Sequence, residues 1–364
     1  MSTLCLTLHA AYACRHSGAC CQTWTVAADT RVMNLVTSGH LLPAASGSPM
    51  FMRAKTHDSE SGWTIARHTT GDCVFFNRDG GRLCAIHEAA GVDALPTACR
   101  HFPRVVLRDA RGILISLSHF CPTAAALLFA PTPLAVVDAD ERLRLAEPIE
   151  GLDGRDVLPP LVRPGLLCDL EGYDAWERAC ISTFAQGDLG WQESLDHIAA
   201  ATERVRRWEP GSCSLRSQVD DAFARARHGD YADPHAHNRA FETVRALTDA
   251  TAASPIPQSD GFGLSSESLS ERDELLDRAM RNYLAARVFG NWISYQGRGL
   301  RSIVEWLRTC AAAVRHHATG RLTAGATGRD YLESFRAADL LLLHTIDSQS
   351  FARRAMALEG PDPR

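Results

Sequence analysis

The placement of cysteine constrains this chain more than any other feature. Eight of its 12 cysteines lie before residue 125: Cys5, Cys14, Cys20, Cys21, Cys73, Cys84, Cys99 and Cys121. The other four, Cys168, Cys180, Cys213 and Cys310, are scattered through sequence of a different texture. Clustered thiols form disulfides in oxidising compartments and serve as metal ligands or redox groups in reducing ones. Met1 to Ala13 carries no basic region ahead of an apolar run and no small-residue cleavage pattern. No stretch reaches about 18 uninterrupted apolar residues, and the longest apolar segment, Ala124 to Val137, is broken by Pro131 and Pro133. These features predict a cytoplasmic protein with reduced thiols and no membrane span.

Apolar residues at 45% and charged residues at 22% predict a globular chain, and 364 residues suffice for one large domain or two ordinary ones. A net charge of -5 offers no basic face, so nucleic acid is not an expected partner. The texture shifts across Pro131, Pro133, Pro148, Pro159, Pro160 and Pro164, which punctuate regular structure. We read 1–135 as a cysteine-cluster metal-binding domain, 136–164 as a Pro-rich connection, 165–357 as a helical domain and 358–364 as a frayed tail. The fold class expected is mainly α: a loop-rich cysteine domain with a few short strands, followed by a helical domain.

After residue 165, apolar residues recur at three- and four-residue spacing. Helices are predicted over 176–185, 191–208, 215–228, 239–252, 270–284, 299–317 and 329–350, with a Pro/Gly/Ser-rich loop over 254–269. Leu195, Ile198, Ala199, Thr202 and Val205 make one apolar face, and Ser270 to Asp273 has capping-box spacing. In the N-terminal third, 73–77 and 113–118 read as short strands, with a turn at Asp79-Gly80-Gly81. Trp176, Trp191, Trp208, Trp292, Trp306 and Tyr283 fall on helical faces and read as core. The His316-His317 pair reads as a helix-end feature, and His235 and His237 read as part of a polar loop.

The chemistry lies in three cysteine clusters. The first is Cys14-Arg15-His16-Ser17-Gly18-Ala19-Cys20-Cys21. The second is Cys73-x10-Cys84-x14-Cys99, running on through Arg100, His101, Phe102, Pro103 and Arg104. The third is Ser118-His119-Phe120-Cys121-Pro122. Thiolates are soft, strongly donating ligands that suit iron–sulfur clusters and zinc. Adjacent residues rarely both reach one metal, so Cys20 and Cys21 either serve two centres or divide the roles of ligand and packed or catalytic thiol. Gly18 permits a tight turn, and iron–sulfur motifs often end in Cys-Pro, as at Cys121-Pro122. Arg100 and Arg104 suit offsetting thiolate charge or binding an anion. His16, His101 and His119 stand beside the cysteines as further ligand or proton-carrier candidates. Asp29 suits either a substrate amine or a helix N-cap before Thr30.

These segments resemble the YkgJ-type cysteine-cluster family, and more closely its longer branch, the flagellin lysine-N-methylases. The resemblance rests on Cys20, Cys21 and Trp24 with Asp29 soon after; on Leu83, Cys84 and Ile86; and on Cys99, Pro103 and Arg104. It rests further on Ser118, Cys121 and Pro122 before the alanine-rich Ala124 to Ala126, and on Arg281 to Leu284 with Val288 and Phe289. One departure is clear: Ser17 stands where the shorter family pattern, Cys-x-x-Cys-Gly-x-Cys-Cys, has its second cysteine. The resemblance implies a metal set of Cys14, Cys20, Cys21, Cys73, Cys84, Cys99 and Cys121. If the full set of eight holds two centres, one is lost or altered here; if it holds a single 4Fe-4S cluster, four of the seven suffice. The implied cofactor is an iron–sulfur cluster, with zinc as the alternative. The implied activity is methylation of protein lysines with S-adenosylmethionine, with flagellin or another protein as partner and Arg100 and Arg104 on the cofactor side. No Cys-x3-Cys-x2-Cys motif and no G-x-G-x-x-G after a strand supports this independently; Gly297-Arg298-Gly299 is only a fragment of the latter. The alternative is a non-catalytic metal-binding or zinc-stabilised interaction protein.

Overall fold

The computed structural model describes residues 2–22, 25–39, 49–54, 62–77, 83–145, 148–227, 233, 235–250, 269–319, 328–345 and 351, with the side chains of 250 and 269–271 outside the description. The turn at Asp79 to Gly81, Trp24, the loop at 254–268 and the tail lie outside the described residues, as does the capping chemistry of Ser270.

Nine strands are described: β1 (Thr3–Leu6), β2 (Phe51–Arg53), β3 (Trp63–Ile65), β4 (Arg104–Asp109), β5 (Gly112–Leu117), β6 (Val136–Asp138), β7 (Leu152–Asp153), β8 (Leu161–Arg163) and β9 (Leu166–Leu167). Five form one sheet in the order β6-β1-β5-β4-β7. The hairpin β4–β5 runs antiparallel from Arg104↔Leu117 to Asp109↔Gly112. β1 lies parallel to β5, with Thr3 opposite Ile113 and Cys5 opposite Ile115. Gly112 permits this: its φ is +136°, and a Cβ there would meet the Ser2 carbonyl oxygen at 2.3 Å. That oxygen accepts the Ile113 N–H at 3.0 Å, so the register of β1 depends on a bare backbone.

Thirteen α-helices are described. Five short ones belong to the N-terminal part: α1 (Thr7–Ala10), α2 (Thr30–Thr37), α3 (Ala85–Ala90), α4 (Thr97–His101) and α5 (Pro122–Leu127). The rest are α6 (Leu170–Ala185), α7 (Trp191–Val205), α8 (Leu215–Arg225), α9 (Ala236–Ala250), α10 (Leu269–Val288), α11 (Ile293–Gln296), α12 (Leu300–Thr319) and α13 (Gly328–Asp339), which runs on into a π turn over Leu340–Thr345. The chain is mainly helical with a few short strands, as its periodicity predicts. Side chains at helix starts act as expected: Asp169 caps α6 through the Gly172 N–H at 2.6 Å, and Ser214 caps α8 through the Ser217 N–H at 3.1 Å. The apolar face predicted on α7 is buried at all five positions. His237 is not in a polar loop but on α9, with its Nε2 3.0 Å from the Arg315 guanidinium.

The main core gathers Tyr173, Trp176, Phe184, Tyr283, Phe289 and Phe335 with Leu6, Leu8, Leu107, Leu114 and Leu128. One face of the sheet therefore closes against α6, α10 and α13. Two buried charge networks cross this seam. Asp109 and Glu177 clamp Arg111 at 2.8 Å each, and Glu177 also accepts the Gly290 N–H at 3.0 Å. Asp339 accepts the Tyr283 hydroxyl at 2.8 Å and the His119 N–H at 2.5 Å, with Arg287 at 3.7 Å. A second, smaller core packs Val26, Val32, Ile65, Val74, Phe75 and Ile86 around Cys73, with Cys21, Cys84 and Cys99 at its border. The strand expected at 73–77 is instead a turn held by isolated bridges, Arg67↔Cys73 and Phe76↔Cys84. Its apolar residues bury against this small core without the length to form a ladder. The segment expected at 113–118 is β5.

Candidate metal centre

Four chain segments bring the seven motif cysteines around one cavity of about 490 Å³. The first leaves α1 through Tyr12 and Cys14. Cys14 is exposed, and its sulfur accepts the His16 N–H at 3.4 Å. Gly18 then takes φ +73°, where a Cβ would strike the Phe76 ring at 2.4 Å, and the following 3-10 turn, Ala19–Cys21, presents Cys20 and Cys21 with their sulfurs 3.9 Å apart. The second segment is pinned to the first: the Cys73 N–H donates to the Cys21 carbonyl at 2.7 Å. Cys84 is the N-cap of α3. The third segment places Cys99 within α4. In the fourth, Cys121 is the N-cap of α5 with Pro122 as the first helical residue. Cys84 and Cys121 thus meet unpaired backbone N–H groups, from Ile86 and His87 and from Thr123 and Ala124, which lower both thiols against the upward push of burial.

The electrostatics divide the seven. Burial raises Cys73 to about 11, and raises Cys99 well above an ordinary thiol with Cys20, Cys73 and Cys84 adding to it. The Cys20–Cys21 hydrogen bond raises Cys21 and lowers Cys20. These five sense one another, and the Arg67 guanidinium stands beside them while donating to the carbonyls of Gly71 at 2.6 Å and Cys21 at 3.3 Å. Cys14 and Cys121 act instead on Tyr12, whose hydroxyl is 3.8 Å from the Cys121 sulfur. Burial is the largest influence on Cys73, Cys84, Cys99 and Cys121 and favours their protonated forms, so a metal binding there must displace those protons.

Among the described residues, no group of three or more His, Cys, Asp or Glu side chains stands in metal-holding geometry. The cysteines face one cavity without being drawn to bonding distance. The remaining donor candidates divide. His16 and His101 line the cavity. His119 is fully buried on Asp339, its Nδ1 3.3 Å from the carboxylate and its Nε2 3.3 Å from His9. Asp29 caps α2, accepting the Val32 N–H at 2.9 Å. Arg104 lines the cavity but spends its guanidinium on the carbonyls of Leu143 and Arg142, at 3.0 and 2.6 Å. Arg100 lines it with a buried Nε that has no hydrogen-bond partner. Cys168, Cys180 and Cys310 are packed in the helical core, and Cys213 is exposed.

A second cavity, of about 430 Å³, shares His101, Phe102 and Arg104 with the first. Phe289, Trp292 and Trp306 give it apolar walls. Ser118 and His344 supply a neutral polar pair, hydroxyl to Nε2 at 2.7 Å. Burial, with Arg287 adding to it, lowers the His344 imidazole to about 4. Sequence reasoning missed Tyr12, Arg67 and His344, which lie in no motif; only the nearness of Tyr12 to Cys14 in the chain hinted at one of them. No family model matches the chain, and no curated protein or solved structure matches it. Among the described residues no helix is long and apolar enough to cross a membrane.

Proposed function

We propose that this chain is a cytoplasmic iron–sulfur protein that modifies protein substrates, methylating lysine side chains with S-adenosylmethionine as the flagellin lysine-N-methylases do. One observation carries the reading: seven cysteines, spread over more than 100 residues of chain, line a single cavity. Free thiols gathered around one cavity, with no disulfide between them, are what a ligand set offers a metal that displaces their protons. The donor chemistry fits a cluster, since a 4Fe-4S centre takes four thiolates and the group Cys20, Cys21, Cys73, Cys84 and Cys99 offers five. Arg67 offsets part of the charge such a centre brings. Bound there, a cluster would supply redox chemistry and Lewis-acidic iron.

The chain's own residues would do the rest. The adjoining apolar cavity would hold a substrate side chain away from water, against the wall of Phe102 and His101 that both cavities share. Ser118 and His344 would offer it uncharged hydrogen-bonding groups. Arg100, with its unspent Nε, is the better candidate for a cosubstrate carboxylate; Arg104 would act mainly as a fixture of the cavity wall. A zinc-stabilised interaction module is the second reading. It is favoured by the small core packed directly around Cys73, where a closed thiolate site would be structural.

The test is methyl transfer. Anaerobically purified protein, incubated with isotopically labelled S-adenosylmethionine and flagellin, is predicted to add labelled methyl groups to lysine, detected by mass spectrometry. A Cys99→Ser variant is predicted to lose the activity. Equal labelling by wild type and Cys99→Ser would contradict the role assigned to the thiols.

A further inference from the structure

We propose that the thiol cavity holds two centres, and that the second is a single-ion site formed by Tyr12, Cys14 and Cys121 with the phenol oxygen as a ligand. The proposal deepens the functional reading above and rests on its assignment of the cavity to metal.

The two groups of donors are packed apart. Cys73, with Cys21, Cys84 and Cys99 around it, belongs to the small core of Val26, Ile65 and Phe75. Tyr12 and Cys121 belong to a different apolar cluster, with Leu117, Ala124 and Leu143. Phe102 borders this second cluster and lines the cavity. Electrostatic neighbourhoods follow the same division: Cys14 and Cys121 act on Tyr12, while Cys20 acts on Cys73, Cys84 and Cys99.

Within the second group the donor spacing suits one ion. A tetrahedral ion with sulfur at about 2.3 Å and oxygen at about 2.0 Å holds those two donors roughly 3.5 Å apart. The Tyr12 oxygen and the Cys121 sulfur stand 3.8 Å apart. The phenol is buried, so little of its desolvation remains to be met on metal binding. Arg104 lies over the Tyr12 ring at 5.9 Å, a positive charge beside the proposed anionic ligands. Cys14, exposed at the rim, closes the set by side-chain rotation. Two thiolates and a phenolate suit a divalent ion of borderline softness, zinc(II) or iron(II), with the fourth position left toward the cavity. Loading would release two thiol protons and one phenol proton to solvent. The substitution at Ser17 is consistent with this count, since five donors remain for a cluster and three for the lone ion.

The experiment uses the full chain, reconstituted anaerobically with iron and sulfide and then titrated with zinc(II). Wild type is predicted to show cluster absorption and to bind about one further zinc. Cys14→Ser and Tyr12→Phe are predicted to weaken that zinc at least tenfold while leaving the cluster absorption unchanged. Cys99→Ser is predicted to lose the cluster absorption and keep the zinc. Cys14 is exposed and Tyr12→Phe removes one oxygen, so both variants should fold, as far-UV circular dichroism would verify. Wild type with a cluster and no further zinc would overturn the second centre and leave the functional reading standing. So would unchanged zinc affinity in both variants, or loss of the cluster in Cys14→Ser. Wild type that binds neither would overturn the functional reading itself.

Discussion

At the residue scale, the cysteines differ in their surroundings more than in their chemistry. Cys99 is half-buried beside other thiols at the cavity, whereas Cys310 is fully buried in the helical core on α12, beside Tyr283. Replacing Cys99 or Cys84 by Ser is predicted to abolish retention of iron and sulfide, and replacing Cys310 to leave it unchanged, as elemental analysis of the purified proteins would show. His344 gives a second prediction. An exposed imidazole takes its proton near 6.5, but this one is lowered to about 4. Between those values the unfolded chain binds more protons than the folded one, so stability is complete above the upper value and falls as pH drops through the window. The loss amounts to about 3 kcal/mol for this group. Urea unfolding at pH 7.5 and pH 5 should show about 2 kcal/mol of it, and His344→Gln should reduce it; a variant with the full wild-type dependence would contradict the assignment. The cysteines and the Asp29 cap were legible in the sequence because local spacing identifies them. Tyr12, Arg67 and His344 were not, because their roles come from distant segments meeting: Ser118 and His344 are 226 residues apart.

At the element scale, helices long enough to show their period were readable and short bridges were not. The buried face of α7 appears in the sequence position by position. The run at 73–77 is apolar enough for a strand but is spent on turns that carry Cys73 and Cys84 to the cavity. β1, β6 and β7 are two to four residues long, below the length at which alternation is diagnostic. The turn at Gly18 is the element on which the first cysteine segment depends. Gly18→Ala must place a side chain at φ +73° and against Phe76. We predict a loss of about 1–2 kcal/mol from the left-handed backbone, more from the clash, and reduced metal uptake, read by urea unfolding and elemental analysis together. Asp29→Ala should cost α2 about 1 kcal/mol and leave metal uptake unchanged.

Across the whole molecule, the sheet and the helical half share one core, while the segments carrying Cys21, Cys73, Cys84 and Cys99 build a smaller core of their own. The seam depends on Asp339. Burial by itself would raise its carboxyl, but Arg287 and His119 outweigh that and hold it well below the usual carboxylate range. Removing its charge leaves Arg287 buried beside a neutral group. Asp339→Asn is therefore predicted to destabilise the protein by about 3–5 kcal/mol, measurable by chemical denaturation. The same architecture places the effect of metal removal. Chelation should expose amides around the small core, within 12–102, far more than those of β1, β5 and α6 to α13. Equal hydrogen-exchange protection in both parts, with and without chelator, would contradict this.

The central claim, that the seven-cysteine cavity is a metal centre, is tested most directly by purifying the protein without oxygen and measuring iron, acid-labile sulfide and zinc alongside the visible spectrum. The account predicts brown protein with matched iron and sulfide. Colourless protein free of all three metal-site components, with its thiols fully titratable and its fold intact, would contradict it.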